Sequence, residues 1–290
     1  QREKGVRERS IYTKVIRRGL TLVALGLVYN GLFNLDFATL RLPSVLGRIG
    51  LAWMFAAMLF IRFGIRTRIA LAAVILVGYG LLLQFAAAPD AAGAGPLTEA
   101  GNIVGYIDRT IMPAHLYGNR GFDPEGLLST LPAIVTAMLG MFTGEFVRRS
   151  EEQISGSRKA LRMAAGAALL LVLALCLDPL QPVNKKLWTP AFVFAAGAYS
   201  LGMFALFYYI IDVRQWRRWS YFFQVIGLNS ITIYMVQRIV RVSYTSEFFF
   251  GGLGSKFSPE VASVIFPAGY ITVCWLLLWF LDRKKIYLKV

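Results

Sequence analysis

The most polar stretch of this 290-residue chain is MPAHLYGNRGFDPEGLLSTLP, at 112–132, and it contains the single histidine of the chain. Histidine exchanges a proton readily near neutral pH, so His115 could serve as a general acid or base. Asp123 and Glu125 follow and could bind a cationic group. A lone histidine in a loop is more often a surface residue than a catalyst. We therefore treat catalysis by His115 as the less favoured hypothesis.

The acidic pair also has a purely structural interpretation. In Asp123-Pro124-Glu125-Gly126 the aspartate can cap a helix, the proline suits its first turn, and the glutamate favours the positive end of the helix dipole. The pattern predicts that an apolar helix starts here, at about 126.

Other polar side chains interrupt apolar stretches. Arg48 lies inside one such stretch, where a charge is costly and usually faces a cavity or a partner. In another, Ser230, Tyr234 and Arg238 have i, i+4, i+8 spacing, with Asn229 beside them, so one helix face is polar. Such a face must turn toward other helices, either as a binding site or as interhelical contacts.

The segment PVNKKLWTP at 182–190 combines Asn184, Lys185 and Trp188 at the end of another apolar stretch. An interfacial anchor would place Trp188 at the headgroups, with the lysine reaching toward water. A polar rim that binds a ligand is the alternative. Composition does not separate the two.

The elements that carry these residues are apolar stretches long enough to cross a bilayer. The chain is 57% hydrophobic and 16% charged, and a β-barrel would instead show short alternating segments. The sequence predicts an all-α, polytopic membrane protein with one domain over 1–290, a long outward loop at 88–125 and about eight spans. The predicted spans are 19–34, 43–61, 69–87, 126–147, 163–177, 190–211, 220–240 and 261–281.

The basic residues predict the orientation. If 1–18 is cytoplasmic, the connections on that side carry 22 lysines and arginines, and those on the other side carry 7. Such a bias indicates that both ends of this chain are cytoplasmic and that 88–125 faces outward. The formal charge of +15 is explained by this distribution, so we expect a lipid bilayer as partner and no nucleic acid.

The familiar motifs of soluble catalysis are absent from the sequence, including the P-loop, the nucleophile elbow and HExxH. Cys176 and Cys274 lie inside apolar runs, so we expect neither a disulfide nor a metal site. The residues alone leave a transporter and a membrane enzyme equally open.

Four stretches resemble the heparan-α-glucosaminide N-acetyltransferase family, including its bacterial members. They are LRLPSVLGRIGLAW (40–53), GNIVGYIDRTIMPAHLYGNRGFDPEGLLSTLPAIVTAMLGMFTGE (101–145), NKKLWTPAFVFAAGAYS (184–200) and IIDVRQWRRWSYFFQVIGLNSITIYM (210–235). The resemblance implies a multi-pass enzyme of a bacterial inner membrane, with 88–125 in the periplasm. Such an enzyme moves acetyl from cytosolic acetyl-CoA to the amine of a glucosamine-type sugar. It also implies that the family's histidine base lies upstream of Gln1, with two further spans there, about ten in all.

On this basis each candidate residue receives an expected role. Asn229 and Arg48 are expected to line the acetyl path, with His115 as the alternative catalyst. Acceptor binding is expected from Asp108, Asp123, Glu125, Asn184, Lys185, Trp188, Ser230, Tyr234 and Arg238. Acetyl-CoA, the one expected cofactor, would meet Arg66, Arg68, Arg148 and Arg149, although these positions also suit a positive-inside topology.

Two other functions remain open at this stage. One is an amino-sugar permease that reuses the same scaffold, which would move sugar without acetyl-CoA. The weaker one is a structural or assembly subunit with no chemistry. A homodimer is suggested by the resemblance and not by particular residues.

Overall fold

The computed structural model describes residues 8–91, 93–119 and 121–288, and all of their regular structure is helical. Residues 1–7 of the predicted cytoplasmic segment lie outside the described part. The chain divides into two compact units, Gln1–Arg214 and Gln215–Val290, which are described separately. The prediction of an all-α polytopic membrane protein is confirmed, and that of a single domain stays a prediction.

Among its described residues, the first unit contains seven α-helices. They are α1 (Glu8–Tyr29), α2 (Val45–Arg62), α3 (Ile65–Phe85), α4 (Ile103–Ile111), α5 (Thr130–Val147), α6 (Gly156–Leu177) and α7 (Pro190–Tyr208). The second unit contains α8 (Tyr221–Leu228), α9 (Ser230–Ile239), α10 (Val242–Gly254) and α11 (Pro259–Arg283). In the described part, six helices are long and apolar enough to cross a membrane: α2, α3, α5, α6, α11, and α7 continued to Val213.

Two of the eight predicted spans therefore look different in the structure. The first belongs to α1, which begins at Glu8 and carries Lys14, Arg17 and Arg18, so its long apolar section is shorter than a span. The seventh was predicted as one helix over 220–240, and this is wrong, because the helix is interrupted at Asn229. Ser230, Tyr234 and Arg238 keep their predicted spacing within α9.

Close contact between α1 and α2 rests on glycine. A Cβ on Gly50 would lie 2.6 Å from the carbonyl oxygen of Gly19 and 2.7 Å from Cβ of Leu22. Small residues allow helix backbones to approach in this way inside a membrane. This packing fixes the basic first half of α1 beside the last turns of α2.

A core joins α2, α3, α5 and α7, with Ala56, Val135, Met138 and Val193 all nearly inaccessible. The small residues on α2 let the larger side chains of α5 and α7 pack close to its backbone. This core lies between the two ends of the helix bundle, and each end carries a group of polar residues.

The described part of the loop over 88–125 contains several buried side chains. Asn102 is buried and caps α4 by accepting a hydrogen bond from the backbone N–H of Gly105 at 2.6 Å. Val104, Leu116 and Phe122 are buried as well. Arg109 forms an ion pair with Asp90 and so ties the two parts of the loop together.

In the second unit, α10 packs against α11, with Phe250 in contact with Gly269 and Phe266 in contact with Gly254. The ring of Phe222 on α8 stacks on Trp275 of α11, with centroids 5.6 Å apart. These aromatic contacts hold the short helix α8 against the long helix α11.

Candidate functional site

Arg41, which precedes α2, forms the centre of a charge cluster with the outer loop. Its guanidinium donates to Asp123 from Nε at 2.8 Å and from Nη2 at 2.6 Å, and Nη2 also reaches Glu125 at 2.5 Å. Burial alone would lower the pKa of Arg41, but these two carboxylates raise it above its ordinary value. Arg41 was not among the predicted site residues. The available signal was that it is the one basic residue in the connection 35–42.

Asp123 is fully buried, and each of its oxygens has a second donor besides Arg41. The backbone N–H groups of Tyr117 and Glu125 donate to them, each at 2.9 Å. Because these bonds use the carboxylate fully, Asp123 holds the loop in place. Glu125 is partly exposed, so it is the carboxylate of this pair that can also meet a ligand.

The prediction that a helix starts at about 126, with Asp123 as its cap, is wrong. Helix α5 begins at Thr130, after consecutive turns over 123–129. Because Arg41 and the N–H of Tyr117 bind its carboxylate, Asp123 caps a local turn at Glu125 instead of the first turn of α5.

Asp108 of α4 stabilises the same turn from the other side. Its carboxylate accepts from the backbone N–H of Leu127 at 3.0 Å and of Asp123 at 3.4 Å. Burial raises the pKa of Asp108 to about 6, although these two hydrogen bonds work in the opposite direction. Its position is that of a structural support for the turn that contains Asp123 and Leu127.

Arg48 is 5% exposed and lies beneath this turn. Its Nη2 donates to the carbonyl of Pro124 and to the hydroxyl of Ser129, and its guanidinium lies 4.6 Å from the ring centroid of Trp188. Among the described residues, its Nε and Nη1 have no hydrogen-bond partner. Arg48, the predicted intramembrane charge, therefore has hydrogen-bond partners at Nη2, and its other two nitrogen atoms can donate as well.

His115 joins the outer loop to the segment before α2. Its Nδ1 lies 2.8 Å from the carbonyl oxygen of Leu40, and its own carbonyl accepts from the N–H of Leu42 at 3.1 Å. Since a carbonyl accepts, Nδ1 carries the proton in this bond, and in the neutral ring the basic atom is Nε2. The residue is half-buried and therefore accessible to a ligand from one side.

The predicted residues of 184–188 form a turn below the loop. The side chain of Asn184 accepts from the N–H groups of Lys186 and Leu187, and so shapes the approach to Trp188. One face of the Trp188 ring meets Arg48, and its Nε1 donates to Thr136 at 3.1 Å. Lys185 is exposed. Of the three, Lys185 has the freest side chain.

The four remaining predicted site residues belong to the second unit: Asn229, expected on the acetyl path, and Ser230, Tyr234 and Arg238, expected to bind the acceptor. Asn229 interrupts the helix between α8 and α9, and its amide nitrogen lies 3.4 Å from the carbonyl of Val225. Its Oδ1 has no partner among the described residues. On α9, Ser230 and Arg238 are exposed and Tyr234 is half-buried. They share a unit with each other but not with Arg48.

A cavity of about 1000 Å³ opens at the helix ends that are predicted to be cytoplasmic. It contains four cationic side chains, one carboxylate, two aromatic rings and a group of apolar residues. They are Lys14, Arg18, Arg148, Arg149, Glu145, Trp53, Phe60, Ile11, Val15, Ala57, Ile61, Met141 and Gly144. The guanidinium of Arg18 lies 4.7 Å from the centroid of a Trp53 ring.

Of the four predicted cofactor-binding arginines, two line the cavity and two do not. Arg148 and Arg149 line it. Arg68 is buried, pairs with Glu145 at 3.1 Å and lies over Phe60. Arg66 is exposed on the first turn of α3.

The residues of the cavity that sequence reasoning missed include Lys14, Arg18 and Trp53. The i, i+4 spacing of Lys14 and Arg18 was a usable signal that both lie on one face of α1. In the described part, no group of three His, Cys, Asp or Glu side chains could hold a metal ion.

Two curated relatives align with the chain. The mouse (Mus musculus) protein is 24% identical over 210 residues, which is 66% of this chain and 30% of that protein. The human (Homo sapiens) protein is 23% identical over 342 aligned positions, which cover 99% of this chain and 50% of that protein. Both are heparan-alpha-glucosaminide N-acetyltransferases. The similarity is weak but supports the resemblance carried by the motifs.

The chain spans half or less of the length of these relatives. No protein-family model matches it.

Proposed function

We propose that this protein is a transmembrane N-acetyltransferase that transfers acetyl from cytosolic acetyl-CoA to the amine of a glucosamine-type sugar on the outer side. The observation that carries the proposal is the cavity between α1, α2 and α5, with its four cations around aromatic and apolar residues. The weak similarity to the two acetyltransferases supports the same reaction class.

The residues of the cavity fit acetyl-CoA in their chemistry. Lys14, Arg18, Arg148 and Arg149 suit the phosphate groups, because charge-assisted hydrogen bonds to phosphate are strong. Trp53 offers a ring for stacking with adenine, beside the guanidinium of Arg18. The apolar residues Ala57, Ile61 and Met141 suit the pantetheine chain. The bound donor would supply a reactive thioester.

At the opposite end, the acceptor is expected to meet the outer charge cluster. Glu125 is partly exposed and could bind the ammonium form of an amino sugar. His115 could accept a proton from a bound ligand through Nε2, and it is the alternative catalyst of this proposal. Arg48 could bind a carbonyl oxygen through Nε and Nη1, which have no hydrogen-bond partner among the described residues. Its preorganised donors would stabilise negative charge as it develops there.

The proposed orientation, membrane and oligomeric state rest on the sequence. The charge bias supports cytoplasmic ends for this chain and an outward 88–125 loop. A bacterial inner membrane and a homodimer follow from the family resemblance, and both belong to the proposal.

The test uses the full-length protein in sealed vesicles, with acetyl-labelled acetyl-CoA on the cytoplasmic side and glucosamine on the other. We expect labelled N-acetylglucosamine on the glucosamine side. The double variant Arg148→Ala/Arg149→Ala should raise the KM for acetyl-CoA. A parallel assay uses labelled glucosamine. If that sugar crosses the vesicle membrane equally well without acetyl-CoA and no acetylated product forms, the protein is a permease and not an enzyme.

A further inference from the structure

Lys159 on α6 is buried, with 3% exposure, although lysine is rarely found inside a protein. Its ammonium donates to the carbonyl oxygen of Val147 at 2.9 Å and to that of Arg149. Both acceptors belong to the end of α5. Burial of an ammonium group is costly unless such acceptors are present.

The position of Lys159 is unfavourable for its own helix. It is the fourth residue of α6, which starts at Gly156, and the first turn of a helix disfavours a cation. The end of α5 has the opposite character, because its last carbonyl groups lack partners within the helix and carry partial negative charge. Lys159 is thus suited to the end of α5 and not to the start of α6.

The backbone that Lys159 holds is the backbone that carries cations of the cavity. Arg148 and Arg149 follow the last residue of α5 directly, and both line the cavity. One of the two acceptors is the carbonyl of Arg149 itself. The ammonium group therefore fixes the point from which these arginine side chains extend.

We propose that Lys159 is a positioning residue that holds Arg148 and Arg149 toward the phosphate groups of a CoA thioester. This role rests on the proposed function. It assigns α6, which contributes none of the residues that line the cavity, a part in recognising the cofactor. Lys159 acts through the backbone of α5, and phosphate contact is left to the arginines.

The test measures binding of CoA and of 3′-dephospho-CoA to the purified full-length protein by calorimetry, together with KM and kcat for acetyl-CoA. Lys159→Met should weaken CoA binding about tenfold, since a hydrogen bond to a charged group is worth about one such factor. 3′-Dephospho-CoA carries fewer phosphate charges, so its affinity should fall by a smaller factor. The KM should rise while kcat changes little.

Two further variants complete the experiment. Arg158→Met removes the same charge from the neighbouring, exposed position and should leave binding unchanged. Lys159→Arg keeps charged donors and should recover much of the affinity. If Lys159→Met does not fold, Lys159→Gln keeps amide donors without the charge and should show a smaller shift in the same direction.

Each result decides between the two proposals. If the wild-type protein does not bind CoA, the proposed function fails and the role of Lys159 fails with it. If the wild type binds CoA and Lys159→Met binds it equally well, or loses both ligands to the same extent, the positioning role alone is overturned.

Discussion

Arg41 and Asp123 are separated by 82 positions in the chain, yet in the fold they share two hydrogen bonds. The carboxylate of Asp123 is inaccessible to solvent, and the side chain of its partner Arg41 is 19% exposed. The ion pair is therefore largely buried. Removal of the arginine would leave a buried negative charge with backbone donors alone.

We therefore expect Arg41→Met to destabilise the protein by roughly 3–5 kcal/mol, the cost of leaving one partner of a buried pair uncompensated. Thermal unfolding in detergent measures this as a large drop in Tm. Arg109→Met is the matched control, since its pair with Asp90 is more exposed and surface pairs contribute little. Equal losses in the two variants would contradict the structural role of Arg41.

Asp108 predicts a dependence of stability on pH. Because burial raises its pKa from 3.8 to about 6, the folded protein keeps a proton that the unfolded chain releases near pH 4. The corresponding stability is fully present below pH 4 and is lost as pH rises through about 6. Between pH 4 and 7 the free energy of unfolding of the wild type should fall by roughly 3 kcal/mol more than that of Asp108→Asn.

Unfolding free energies at several pH values provide the measurement. Asp90→Asn is the control, because its hydrogen bond with Arg109 lowers the pKa of that exposed carboxyl. Its contribution is therefore lost as pH falls, with the opposite sign. If the unfolding free energies of the wild type and of Asp108→Asn change equally with pH, Asp108 does not hold its proton in the folded protein.

At the scale of elements, the tight contact of α1 with α2 links stability to cofactor binding. Gly50→Ala would place a Cβ 2.6 Å from the carbonyl oxygen of Gly19, so α1 must shift, and overpacking of this kind costs about 1–3 kcal/mol. Since α1 carries Lys14 and Arg18 into the cavity, CoA binding should weaken too.

The control for this prediction is Gly78→Ala on α3, where a Cβ would meet no atom within 4 Å. Alanine is preferred to glycine inside a helix, so this variant should be as stable as the wild type or slightly more so. Calorimetry with CoA and thermal unfolding provide the two measurements. A Gly50→Ala protein with wild-type stability would exclude the close approach of α1 and α2.

Sequence reasoning succeeded for elements that are continuous and apolar, because length and hydropathy are local properties. It failed at Asn229, since an apolar window does not detect one residue whose side chain competes with backbone hydrogen bonds. It also placed the start of α5 too early, because the partner of Asp123 lies far away at Arg41. The outer cluster and the cavity depend on such distant pairs, which a single sequence does not contain. Arg48 was predictable as a charge inside an apolar stretch, and Arg148 as a basic residue in a connection that is predicted to be cytoplasmic.

At the scale of the whole molecule, the predicted orientation determines which end receives the cofactor. Lys185 and Arg158 are both exposed, and α6 is the one helix between them in the chain. If α6 crosses the membrane, the two positions lie on opposite sides. The bias of 22 basic residues to 7 predicts that Arg158 lies inside and Lys185 outside.

Single-cysteine variants test this orientation directly. In a background with Cys176→Ser and Cys274→Ser, Lys185→Cys should react with a membrane-impermeant maleimide in intact cells. Arg158→Cys should react only after the membrane is made permeable. The reverse pattern would point the basic cavity away from cytosolic acetyl-CoA and so contradict the proposed reaction, whereas labelling of both positions from outside would show that α6 does not cross. Because each outcome follows from the side on which one residue lies, the experiment tests the topology independently of catalytic activity.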